Sequence, residues 1–191
     1  MELALKGILG RAGSLGIRQV ICDILIHPRR DPGVLREAQN FLKQYATQYQ
    51  YARVMFDREG CGRENDATTL EKDVKNRLDQ SGWQGRAEVV VIDPELEVWV
   101  FADSPHVADI IAAGDQHLYE QKLSVAQKNA LGKPVRPKGL MEEILRERRI
   151  PRSSSLYLQL AQNVSFLYCK DPSFCRLRDT LQKWFKSVTH R

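Results

Sequence analysis

Tyr51-Ala52-Arg53-Val54-Met55-Phe56-Asp57-Arg58-Glu59 and, further on, Ala87-Glu88-Val89-Val90-Val91-Ile92-Asp93-Pro94 decide how this sequence folds. Each is a short apolar run, rich in β-branched or aromatic residues, that stops at an aspartate, and such runs predict strands over 51–56 and 87–92. Between them Thr68, with Glu71 three residues on, reads as a capping box. Leu70, Val74 and Leu78 then recur at helical spacing until Ser81-Gly82 ends the helix. Working outward, Val20-Ile21-Cys22-Asp23-Ile24-Leu25-Ile26 predicts a third buried strand. Pro28 and Pro32 bracket a loop, and Val34, Leu35, Ala38, Leu42 and Tyr45 mark an amphipathic helix. Leu5, Ile8, Leu9 and Ala12 place another over 2–12, with Gly13 as its stop. Strand, helix, strand, helix, strand predicts an α/β core over 1–101, a parallel sheet flanked by helices. From 102 to 191 the pattern is helical, with helices expected over 105–113, 116–130, 138–149, 154–169 and 173–187. Gly132 to Pro137 is the clearest break in that half.

With 42% hydrophobic residues in 191, the chain can bury a core without disulfide staples. No apolar run approaches the roughly 20 residues of a membrane span. The N-terminus lacks the basic and apolar regions of a secretory signal, so a cytoplasmic protein with no membrane partner is expected. Cys22, Cys61, Cys169 and Cys175 form no close pair, and His27, His106, His117 and His190 are scattered, which argues against structural zinc. Cys22 reads as core and Cys61 as part of a glycine-flanked loop. Gly7-Ile8-Leu9-Gly10-Arg11-Ala12-Gly13-Ser14 lacks the lysine of a phosphate loop and reads as a helix with its C-terminal glycines.

The charge is uneven. Residues 1–101 hold 14 basic and 15 acidic side chains, whereas 102–191 hold 15 and 9, so the excess sits in the helical half. Within 122–152, nine Lys and Arg face only Glu142, Glu143 and Glu147. Such a segment raises phosphate affinity without sequence specificity, and Lys133, Arg136 and Lys138 are its candidate nucleic-acid contacts. The other reading is a solvated helix end, with Arg146, Arg148 and Arg149 paired to their Glu neighbours.

Asp57 and Glu59 follow one strand; Asp93, Glu95 and Glu97 follow the other. Ligands of open parallel sheets bind beyond the strands' carboxyl ends, and clustered carboxylates suit Mg²⁺ or Mn²⁺ acting on a phosphodiester. Two plainer readings compete. Asp93 before Pro94 fits a helix N-cap, and the alternation Glu95, Leu96, Glu97, Val98 fits an extended run.

Val54-Met55-Phe56-Asp57-Arg58-Glu59-Gly60-Cys61, followed by Val91-Ile92-Asp93-Pro94-Glu95-Leu96-Glu97-Val98-Trp99-Val100, resembles the Toprim-like proteins of bacterial phage-defence loci. These are the RloB-type group and its relatives, among them small components of methylation-associated defence systems. The motifs span about residues 52–101; Ser155-Leu156-Tyr157-Leu158 and Phe174-Cys175-Arg176-Leu177 carry a looser likeness in the tail. The resemblance implies a Toprim-like sheet in which Asp57, Glu59 and Glu97 are catalytic and hold Mg²⁺ or Mn²⁺ for nuclease or other phosphoryl-transfer chemistry on DNA or RNA. Asp57 and Glu59 match the family's Asp-x-Asp, with Glu in the second place, and Glu97 matches the later glutamate. The family's pattern opens with a strand ending in glutamate. This chain begins at the helix that follows, with Glu2 at its start, so an apolar strand encoded upstream is expected. Two functional readings remain: a metal-dependent antiviral nuclease, and a non-catalytic Toprim-like subunit that binds nucleic acid or scaffolds a defence complex. Other defence subunits, or a second copy in a homodimer, are the protein partners that fit either.

Overall fold

A computed structural model describes residues 1–167 and 169–187; His190 lies outside them. The protein is α/β, with a small parallel sheet and many helices. The chain divides into two compact units, residues 25–95 and residues 1–24 with 96–191, instead of at residue 101. Among the described residues no helix is long and apolar enough to cross a membrane.

The 25–95 unit holds β1 (Ala52–Asp57) and β2 (Ala87–Ile92), paired in parallel with Ala52 opposite Ala87 and Asp57 opposite Ile92. Two helices pack on them, α3 (Arg30–Lys43) on β1 and α4 (Ala67–Leu78) on β2. The expected spacing is realised here. Leu70, Val74 and Leu78 of α4 bury against Val54 and Phe56 of β1 and Val89 and Val91 of β2, with Leu35 and Ala38 of α3 in the same core. The helix cap differs from the expected box. Asp66, not Thr68, is the N-cap, and its Oδ1 accepts from the Thr69 N–H at 2.9 Å. Glu71 is thereby released to the sheet, where its Oε1 accepts the Val91 N–H at 2.9 Å.

The second unit gathers α1 (Glu2–Leu9), α2 (Ala12–Leu15), a 3₁₀ turn over Leu96–Trp99, α5 (His106–Ile111), α6 (Gln116–Val125), α7 (Pro137–Glu147), α8 (Ser154–Asn163) and α9 (Pro172–Trp184). Several end earlier than the periodicity suggests: α6 stops at Val125 and α8 at Asn163. Met141, Ile144 and Leu145 of α7 pack with Val107 and Ile111 of α5 and Leu156 and Leu160 of α8. Helix α1 belongs to this unit because it lies directly on α8. Gly7 has no side chain to hold the helices apart, and a Cβ there would stand 2.6 Å from the Ala161 Cβ. Arg11 fastens the junction, donating from Nη1 to the carbonyls of Ala161 at 3.0 Å and Val164 at 2.7 Å.

The strand expected over 20–26 is not formed. The span joins the two units without ladder pairing; Ile21 is fully exposed, Leu25 and Ile26 are 40% and 46% exposed, and Cys22 is exposed rather than core. Composition alone made it a strand, but a strand also needs a neighbour to bond. Cys61, by contrast, is buried, its thiol directed at the Arg63 carbonyl.

Candidate functional site

Asp57 and Glu59 stand where the strand pattern places them, at the carboxyl end of β1. The turn that carries them is latched to the chain after β2: the Arg58 N–H donates to the Ile92 carbonyl at 2.8 Å and the Glu59 N–H to that of Pro94 at 2.9 Å. Arg58 Nε also donates to Asp93 Oδ1 at 2.6 Å. Asp93 is therefore an ion-pair partner, not the cap of a following helix, and the Asp93–Pro94 peptide is cis. Glu59 itself is exposed. The Asp57 N–H points to Asp31 Oδ1 at 3.4 Å, so the first turn of α3 adds a carboxylate that no sequence motif marks. Burial pushes the Asp31 carboxyl above its ordinary range, with the Asp57 N–H partly opposing the shift.

Glu97 belongs to the other unit and is 3% exposed in the 3₁₀ turn. Its Oε1 accepts from Arg152 Nη2 at 2.6 Å and from the Tyr157 hydroxyl. Arg152 also donates from Nε to the Tyr157 oxygen at 2.7 Å and from Nη1 to Glu142 Oε1 at 2.9 Å. Burial, and then the adjacent Glu97 carboxylate, hold the Tyr157 hydroxyl protonated far above the usual range of a phenol. Burial opposes the Arg152 charge, but Tyr157 and Glu97 outweigh it and raise its pKa. Trp99, two residues beyond Glu97, donates from Nε1 to Ser173 Oγ at 2.7 Å and stacks edge-on against Phe174. The Glu-x-Trp element thus anchors the C-terminal helices of its own unit.

These placements do not fit a divalent metal held by Asp57, Glu59 and Glu97. Glu97 is taken by a guanidinium and a phenol of its own unit, and among the described residues no three His, Cys, Asp or Glu side chains cluster as a metal requires. Arg152 and Tyr157, which complete the Glu97 site, carry no sequence signal, because nothing in a helical tail marks them as partners of a distant glutamate.

The three expected nucleic-acid contacts also separate. Lys133 is 7% exposed, its Nζ donating to the Val98 carbonyl at 2.7 Å with Cys169 Sγ at 4.0 Å. The ammonium works inside the unit and offers nothing to a phosphate. Lys138 is half-buried, whereas Arg136 is exposed at the N-cap of α7. Arg146 and Arg149 are exposed near the other end of that helix, with no ion pair among the described residues. Their neighbours Arg148 and Lys122 are paired, to Asp115 at 3.2 Å and Glu147 at 2.8 Å. Comparison of the chain with protein-family models, curated proteins and solved structures gave no match.

Proposed function

We propose that this chain is a non-catalytic, Toprim-like subunit of a bacterial antiviral defence complex, working in the cytoplasm, and that it contacts DNA or RNA through the exposed cations of its helical unit. The observation that carries this reading is the state of Glu97. Glu97, one of the three carboxylates that the metal chemistry would need, is buried and already satisfied by Arg152 and Tyr157. Exposed Arg136, Arg146 and Arg149 support phosphate contact, which positions a nucleic acid without reading its sequence. Fluorescence anisotropy with single- and double-stranded DNA and RNA tests the reading: binding independent of sequence, steeply weakened by salt and unaffected by Mn²⁺ is expected. Absence of binding at low salt would remove the nucleic-acid role.

The second reading, a Mg²⁺- or Mn²⁺-dependent nuclease, draws on Asp57, Glu59 and Asp93 at the carboxyl ends of two parallel strands. Mn²⁺-dependent cleavage that Asp57→Asn abolishes and Glu97→Gln leaves intact would favour it over the first.

A further inference from the structure

At the start of α9 the chain folds back so that the Cys175 thiol donates to the Cys169 carbonyl at 3.4 Å, which sets one thiol against the backbone of the other. We propose that Cys169 and Cys175 are a peroxide-sensing pair, joined by a reversible disulfide when the protein meets hydrogen peroxide.

A single aspartate fixes the geometry. Asp171, buried, is the N-cap of α9, and its Oδ1 accepts the N–H groups of Ser173 at 3.0 Å and Phe174 at 3.3 Å. Its carbonyl accepts the Cys175 N–H at 2.9 Å, and on the other side the Cys169 N–H donates to the Phe166 carbonyl at 3.2 Å. With the backbone held on both sides, rotation of the side chains is the motion left to bring sulfur to sulfur. There is room for it. Cys169 lines an apolar cavity of about 50 Å³, shared with Trp99, Phe166 and Phe174, into which its side chain can turn.

The two thiols have different surroundings, and these assign the order of reaction. Cys175 is half-buried, and Arg178 Nη2 lies 3.8 Å from its Sγ, with Arg178 Nε in turn 3.5 Å from Asp179. A guanidinium there favours the thiolate, the form that attacks. Cys169 is buried, with Lys133 Nζ at 4.0 Å from its Sγ. Burial pushes its thiol up, the Lys133 ammonium pulls against that rise, and Cys175 adds to it. Cys175 therefore reacts first. Its thiolate attacks a peroxide oxygen, the O–O bond breaks, and the departing hydroxide takes up the proton that the thiol gave, leaving a sulfenic acid and water. Cys169 then attacks the Cys175 sulfur, the S–O bond breaks, and the second hydroxide leaves as water with the Cys169 proton. Two thiols and one peroxide thus become one disulfide and two waters. In a reducing compartment such a bond is a transient signal, which thiols reverse by exchange.

Peptide mapping of the full chain tests this. After brief exposure to hydrogen peroxide the protein is alkylated in urea and cut with trypsin, which cleaves at Arg152, Lys170 and Arg176 and so puts the two cysteines on separate peptides, 153–170 and 171–176. The peptides are expected to be joined, within single chains on a non-reducing gel, at peroxide levels that leave the exposed Cys22 alkylated, and dithiothreitol is expected to part them. Cys169→Ser is expected to strand Cys175 as a sulfenic acid that dimedone traps, and Cys175→Ser to leave Cys169 alkylated. Peptides that stay separate in the wild type, a link present only in cross-linked dimers, or oxidation of Cys22 ahead of the pair each overturns the proposal. So does oxidation of Cys169 in the Cys175→Ser protein. The mapping of the wild type decides the matter by itself if either variant fails to fold.

Discussion

Glu97 and Arg152 meet at 2.6 Å across 55 residues of sequence, and the glutamate is almost wholly withdrawn from water. Removing one member of such a pair leaves the other's hydrogen bonds unmade. Glu97→Ala is expected to destabilise the protein by about 2–4 kcal/mol, and Glu97→Gln, which keeps an acceptor for Tyr157, by about half that. Urea unfolding of the two variants checks the order. Equal losses would mean that the charge, not the acceptor, holds the network.

Lys133 and the surface arginines are expected to fail in different ways. Lys133→Met leaves the Val98 carbonyl without its donor and should cost about 1–3 kcal/mol in stability, with little change in nucleic-acid affinity once folded. Arg136→Glu with Arg146→Glu and Arg149→Glu should leave the melting temperature nearly unchanged. Their effect should be on binding, lowering the salt slope by about one for each phosphate that is no longer neutralised. Melting curves and salt titrations of both proteins separate the two effects.

Asp31 sets a pH dependence in the 25–95 unit. Its folded-state carboxyl lies above the ordinary aspartate range, so the folded state holds the proton more tightly than the unfolded chain. The penalty for burying the charge is absent below about pH 4, where the unfolded carboxyl is protonated, and grows as pH rises through the folded value. Asp31→Asn keeps an oxygen for the Asp57 N–H without that charge. It should raise the melting temperature by about 2 °C at pH 7 and make no difference near pH 3. A gain that is constant with pH would assign the effect to packing instead.

Gly7→Ala forces a methyl group into the α1–α8 contact and is expected to cost about 1–3 kcal/mol. Gly13→Ala is its control, because nothing stands within 4 Å of the added carbon. Similar melting temperatures for the two variants would show that α1 can shift away from α8.

The strands β1 and β2 were legible because apolar runs of that length have few alternatives, and α4 because three apolar residues recur at its spacing. What escaped reading depends on partners. Asp66 and Thr68 are both good caps two positions apart, and only the fold shows that Asp66 takes the role while Glu71 turns to Val91. The span 20–26 has the composition of a buried strand, but burial requires a neighbour that composition does not name. Glu97 was legible as a distinctive acidic residue and not as an Arg152 and Tyr157 partner, since pairings over such separations leave no local trace.

The packing of α1 on α8 also sets an order of assembly during synthesis. Arg11 must wait for a carbonyl 150 residues later in the chain. At translation rates of about 5–20 residues per second, that is a delay of roughly 8–30 s after α1 has left the ribosome. The 25–95 unit is continuous in sequence and has all its internal partners as soon as its last residue emerges. It therefore folds while α1 is still exposed, and the helical unit closes around a first helix made long before the rest.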